Sequence, residues 1–136
     1  MLSISIEEFL IWKKKQLSKG GDQQSLAVLI DCIGGISVSD LNLMSINPEG
    51  KLHLKKKLEF LESLWDDHLL KSCPIQYLCG ITFWRDLKLK VTNKVLIPRP
   101  ETELIVDIVF NIFRRKSEKL FFAELGTGSG AISIAL

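Results

Sequence analysis

The chain has 136 residues, of which 46% are hydrophobic and 25% charged, and its net charge is +2. This is the composition of a soluble globular protein with room for one ordinary domain or two small ones. It gives no electrostatic case for nucleic-acid binding, and no apolar run approaches the ~20 residues of a membrane span.

The first seventy residues predict helices. Ser5 followed by Glu8 is a capping box, after which Ile6, Phe9, Leu10 and Leu17 recur at helical spacing. Lys13, Lys14, Lys15 and Lys19 crowd the end of that helix, and Gly20-Gly21 stops it. Asp22 caps a second helix carrying Leu26, Leu29, Ile30 and Ile33, which Gly34-Gly35 ends. A short third helix starts at Ser37 or Ser39 and buries Leu41 and Met44. A long fourth one is predicted from about Lys51 to Leu70, with Leu54, Leu58, Leu61, Trp65 and Leu69 as its apolar stripe. Residues 1–72 therefore read as a small helical bundle with no acid–base pair, nucleophile or ligand cluster of its own.

The character changes at Cys73-Pro74, where a hairpin and linker over 73–97 are predicted. Phe83, Leu87, Leu89 and Val91 alternate with Arg85, Lys88 and Lys90, the period of a half-buried strand, and Arg85-Asp86 suits the turn. Val95-Leu96-Ile97 is a further extended run, and Pro98 and Pro100 hold Ile97 and Arg99 extended. From 98 onward the start of an α/β domain is expected. Pro100, Glu101 and Glu103 open a helix whose inward face is Leu104, Ile105, Ile108, Val109, Ile112 and Phe113, closed by Arg114, Arg115 and Lys116. Leu120 to Ala123 reads as a buried strand. Gly126, Gly128 and Gly130 then form a turn before the helix that begins at Ala131.

Such a turn exposes backbone N–H groups to a ligand at the carboxyl end of a strand. Ile132 and Ser133 occupy the place where a P-loop needs Lys and Ser/Thr, which excludes that class. Gly126, Gly128 and Ala131 satisfy a dinucleotide fingerprint literally. Glu124 argues the other way, because a carboxylate there opposes a pyrophosphate and suits a ligand with a cationic amino group. From this stretch alone, a methyltransferase, a dinucleotide binder and a plain tight turn all stay open.

Cys32, Cys73 and Cys79 make no Cys-x-x-Cys, and His53 and His68 have no ligand-like neighbours, so no metal site is expected. The opening MLSISIEEFLIWKKK lacks the basic segment of a signal peptide, and a cytoplasmic location is the expectation.

The segment PIQYLCGITFWRDLKLKVTNKVLIPRPETELIV from Pro74 to Val106, with ELGTGSGAISIAL following, resembles the bacterial release-factor N5-glutamine methyltransferases. Ile97 to Glu103, with two prolines framing Arg99, is the specific part of the likeness, and over 1–72 only the helical layout matches. The resemblance implies an amino-terminal substrate-recognition bundle followed by the opening of a Rossmann-like methyltransferase domain dependent on S-adenosylmethionine. It implies a release factor as protein partner, with neither nucleic acid nor membrane bound directly. Gly126, Thr127, Gly128, Ser129 and Gly130 would line the cofactor pocket, and Glu124 would take its amino-acid end. Arg99, Thr102 and Glu103 would lie beside the cofactor. The family's Asn-Pro-Pro-Tyr motif does not occur in this chain, so no catalytic residue is assigned. The chain by itself is expected to be an incomplete, inactive portion of the enzyme, with Phe121, Phe122, Leu125 and Ile132 lacking a core.

Overall fold

Three side-chain caps start the helices of the amino-terminal half. Ser5 Oγ accepts the Glu8 N–H at 3.1 Å and begins α1 (Ile6–Ser18). Asp22 accepts from the Ser25 N–H at 2.8 Å at the head of α2 (Gln23–Leu29), and its bonds to Ser25 hold its carboxyl below the ordinary carboxylate range. Ser37 Oγ accepts the Asp40 N–H at 3.1 Å and opens α3 (Val38–Ile46). Each cap is worth about 1 kcal/mol. Past α2 the chain widens into a π-helical turn, Ile30–Gly34, closed by Gly35 at φ +78°.

A computed structural model describes residues 2–113 and 121–136 of this chain, which divide into two compact units, Met1–Cys79 and Gly80–Leu136. In the first unit Phe9, Leu26, Leu29, Ile30, Leu61 and Trp65 are fully buried. The Trp65 indole N–H donates to the Gln16 carbonyl at 3.1 Å, tying α4 (Leu58–Leu70) to α1 through the middle of that core. At the wet end of the same contact, the Lys19 ammonium reaches Glu62 at 2.7 Å and Asp66 at 2.8 Å.

The fourth helix starts later than predicted. Lys51–Leu54 is a strand, β2, paired antiparallel with β1 (Leu2–Ser5) in the register Leu2↔Leu54 to Ser5↔Lys51. Leu52 and Leu54 are buried while Lys51 and His53 are exposed, a period of two. Leu54 and Leu58 also lie four apart, so the helical stripe absorbed them. The first unit is thus a helical bundle with a small antiparallel strand pair. Residues 75–79, predicted as linker, form the short helix α5 (Ile75–Cys79), whose Ile75 enters this core. His68 donates its Nδ1–H to the Cys73 carbonyl at 2.8 Å and lies against the Trp65 ring.

The second unit begins with the predicted hairpin, β3 (Ile81–Trp84) and β4 (Leu87–Lys90), in the register Ile81↔Lys90 to Trp84↔Leu87. Arg85 takes φ +52° at the turn, a conformation costing a non-glycine residue about 1–2 kcal/mol. Strand parity sends Trp84, not Phe83, inward. Phe83 is 67% exposed with the Lys88 ammonium over its ring, while Trp84, Leu89, Val106 and Ala131 make the core.

A 3-10 turn, Pro100–Thr102, leads into α6 (Glu103–Phe113). Of α6 only Val106 is buried, whereas Leu104, Ile105, Ile108 and Ile112, predicted inward, are exposed. Arg114, Arg115, Lys116 and Leu120 lie outside the described residues. The buried strand predicted over Leu120 to Ala123 is not formed over its described residues: 121–125 join no sheet among the described residues, and Phe121, Phe122 and Leu125 are exposed, as expected of residues lacking a core. Ile132 differs, since it packs partly on the Trp84 cluster from α7 (Ala131–Ala135). Among the described residues, no single helix is long and apolar enough to cross a membrane.

Two outcomes follow from this packing. Gly21 sits at φ +81° and a Cβ there would lie 2.6 Å from the Trp65 ring, whereas a Cβ on Gly80 at φ +70° would meet nothing within 4 Å. Urea unfolding should show Gly21→Ala destabilising the first unit by about 3 kcal/mol or more, and Gly80→Ala costing the second only the backbone strain of about 1–2 kcal/mol. Glu62, held below its ordinary value of 4.5 chiefly by the hydrogen bond from Lys19, stabilises the fold above that pH and stops doing so as the pH falls through its lowered value. The acid limb of a stability–pH curve for the first unit should flatten in Lys19→Met.

Candidate functional site

The glycine loop owes its shape to backbone conformation. Gly126 and Gly128 stand at φ +75° and +58°, in the left-handed region that side chains disfavour. A Cβ on Gly126 would touch nothing within 4 Å, and one on Gly128 only the Gly126 carbonyl at 3.9 Å. Packing therefore does not demand glycine there; the turn does, and it leaves bare backbone facing open space. The loop closes on itself where the Gly130 N–H donates to the Thr127 carbonyl at 2.9 Å. Gly130 accepts the first bond of α7, from the Ile134 N–H at 2.9 Å.

Glu124 leads into that loop. One carboxylate oxygen accepts both from the Ser133 N–H at 3.1 Å and from the Ser133 hydroxyl, bridging the entry of the loop to α7. Its other oxygen has no hydrogen-bond partner among the described residues. The Thr127 hydroxyl leans on the Glu124 carbonyl at 3.5 Å.

These groups share one cavity of about 210 Å³. Glu124, Gly126, Thr127, Gly128 and Ser129 form one wall, and Arg99 and Thr102 form the other. Leu96, Pro98, Ala131 and Ile132 complete it, four residues not expected at the site, although Pro98 belongs to the proline-framed run Ile97–Glu103. Two expected residues are elsewhere. Gly130 closes the loop without lining the cavity, and Glu103 turns away, its carboxylate accepting the Arg85 N–H at 3.4 Å. At about 210 Å³ the cavity lies below the usual ~300–1,000 Å³ of ligand sites, so it accommodates one end of a cofactor-sized molecule.

On the far side of Glu124 lies a larger, mostly apolar space of about 550 Å³, bordered by Ile105, Val109, Phe122, Leu125 and Leu136. The first unit carries a groove of about 400 Å³ over Ala27, Val28, Val38 and Leu41, with Lys13, Gln23, Gln24 and Asn42 at its margin. Thiol chemistry is disfavoured at Cys79. Burial, reinforced by Cys32, pushes its thiol up to about 12, which leaves almost no thiolate at neutral pH.

No family model matches the chain. Among curated proteins it is 43% identical over 133 residues to the release factor glutamine methyltransferase of Prochlorococcus marinus, a match covering 97% of this chain and 45% of that protein. The enzyme of the same name from Gloeobacter violaceus is 35% identical over 129 residues, covering 92% of this chain and 43% of that protein. That of Synechocystis is 35% identical over 144 residues, covering 98% and 46%. The chain thus spans somewhat under half the length of the curated relatives it matches.

Proposed function

We infer that this chain, which belongs with the release factor glutamine methyltransferases over the stretch it spans, supplies their substrate-recognition unit and the opening of their cofactor site. The whole enzyme moves a methyl group from S-adenosylmethionine to the side-chain amide nitrogen of a release-factor glutamine. The second unit is then the beginning of a Rossmann-like methyltransferase domain, with 121–125 as its first parallel strand. The observation that carries this reading is the single cavity joining Glu124, the Gly126–Ser129 loop, Arg99 and Thr102.

The residues present fit one end of that cofactor. Its amino-acid end carries a cationic amine and a carboxylate. Glu124, with one carboxylate oxygen unengaged among the described residues, would hold the amine. The N–H groups of the glycine turn and the Arg99 guanidinium would hold the carboxylate. S-adenosylmethionine supplies an electrophilic methyl on a sulfonium, so the chain's own task is to bind and orient it. Aligning the glutamine amide is not assigned to any residue here, because the chain has no Asn-Pro-Pro-Tyr run. A dinucleotide would bring its pyrophosphate against Glu124 instead, a like-charge contact. The groove of the first unit, apolar at its floor with amides and Lys13 at its edge, suits an exposed segment of the protein substrate.

Two measurements check this. In an NMR titration carried to millimolar ligand, S-adenosylmethionine should shift the Gly126 and Gly128 amides and NAD should not. Glu124→Gln should weaken binding about ten- to a hundredfold, as expected for losing a charge-assisted hydrogen bond of about 1.5–3 kcal/mol. Equal binding of NAD, or no effect of Glu124→Gln, would remove the assignment. Separately, immobilised chain should retain a purified bacterial release factor, and Val28→Asp in the groove should reduce the retention severalfold. Undiminished retention by that variant would place the contact elsewhere.

A further inference from the structure

The proline-framed segment that forms one wall of the cavity is gripped by two neighbouring residues of the hairpin tip. Trp84, only 3% exposed, donates its indole N–H to the Arg99 carbonyl at 2.9 Å. The same carbonyl accepts the Thr102 N–H at 3.1 Å, the bond that closes the turn Pro100–Thr102. Arg85 takes the other end. Its backbone N–H reaches the Glu103 carboxylate, and its guanidinium donates to the Glu103 carbonyl at 3.3 Å and to Asp107 at 2.8 Å. Arg99 and Thr102, the two residues of this segment with polar side chains lining the cavity, thus lie between two anchor points four residues apart.

Pro98 and Pro100 alone do not set this wall. They restrict φ at their own positions and bias Ile97 and Arg99 to extended geometry, but they leave the direction of the segment open. The direction comes from the hairpin. Arg85 adopts its unfavourable φ of +52° at the turn, and that conformation accompanies both its backbone bond to Glu103 and its side-chain bonds along α6.

We propose that Trp84 and Arg85 are positioning residues of the cofactor site, holding Arg99 and Thr102 at the distance from the Gly126–Ser129 loop that the bound amino-acid end requires. Neither side chain touches the ligand; both act through the carbonyls and carboxylates of residues 99–107. This rests on the cofactor reading of the cavity. It adds that the affinity of a loop near the end of the chain is set by a hairpin some forty residues earlier.

The test uses the whole chain and two readouts, amide hydrogen exchange and an NMR titration with S-adenosylmethionine. Trp84→Phe keeps the ring in the core and removes only the N–H donor. Exchange of the Thr102 amide should rise about tenfold while Leu89 and Val91 keep their protection, and the cofactor dissociation constant should rise about fivefold with the thermal midpoint of the unit nearly unchanged. A purely structural role for Trp84 would lower the midpoint and raise exchange at Leu89 and Val91 together. Should Trp84→Phe fail to fold, Arg85→Gly relieves the positive φ while removing the guanidinium, and should weaken cofactor binding with the hairpin intact. Thr102 exchange and cofactor affinity both unchanged in a folded variant overturn the positioning role. Wild-type chain whose Gly126 and Gly128 amides ignore the cofactor overturns instead the reading of the cavity on which the role depends.

Discussion

A backbone carbonyl has two lone pairs, and in this protein the Arg99 carbonyl uses both. One closes the tight turn at Pro100–Thr102, and the other receives the indole of a buried tryptophan. The core of the second unit and its cavity meet at that atom. Trp84 belongs to the apolar cluster with Leu89, Val106 and Ala131, so its position is set by burial, worth about 1.5–3 kcal/mol for a large apolar side chain. The polar tip of the same residue then passes that position on to a segment with little core contact of its own, since Arg99 and Glu101 are exposed and the turn buries nothing. A wall built of two prolines, a turn and an arginine is ordered because its one central acceptor is satisfied twice.

The first unit uses the same device. Trp65 is fully buried, yet its N–H finds the carbonyl of Gln16 on the facing helix, so an apolar contact between α1 and α4 also has a direction. Gly21 permits this by lying against the ring where no side chain fits. Outside that contact, Lys19 meets two carboxylates one helical turn apart on α4. Those pairs are partly in solvent and contribute modestly. The unit stands on its apolar interior, with caps at three helix starts and the short β1–β2 pair covering one side.

The second unit is different in kind. An amphipathic helix buries one stripe and wets the other, but α6 exposes Leu104, Ile105, Ile108, Phe110 and Ile112, which do not fall on one narrow line. With Phe121 and Leu125 also exposed, the unit shows far more apolar surface than scattered hydrophobic residues explain. An α/β sheet buries helices on both faces and its parallel strands on both sides. The helix α6 and the segment 121–125 have the composition for that environment, and the apolar space of about 550 Å³ between them has the character of a site for packing, whereas the smaller space next to it is polar on one wall.

What the sequence made legible divides by how far apart the interacting residues are. The caps at Ser5, Asp22 and Ser37 act across three residues; the first two could be read directly, and the third was narrowed to Ser37 or Ser39. The glycine turn could be read too, because positive φ is a property of single residues. The β1–β2 pair could not, because its strands, Leu2–Ser5 and Lys51–Leu54, are separated by the whole run of residues 6–50 and Leu54 also satisfied a helical spacing. Phe83 and Trp84 illustrate the same limit inside a hairpin that was itself recognised. Alternation says that one of two adjacent aromatics turns inward, and only the cluster it joins decides which. At the site, the carboxylate of Glu124 suggested a ligand with a cationic amino group from its residue type and place, whereas Arg99 and Thr102 entered only through the likeness to the methyltransferase family. The placement of Glu103 could not be read, because an acidic residue in a helix's first turn already has a sufficient local reason to be there. Its partner, Arg85, is eighteen residues upstream at a turn whose backbone conformation no local preference of arginine suggests. Residues chosen for a local reason announce themselves; residues that answer a distant one do so only after the chain has folded.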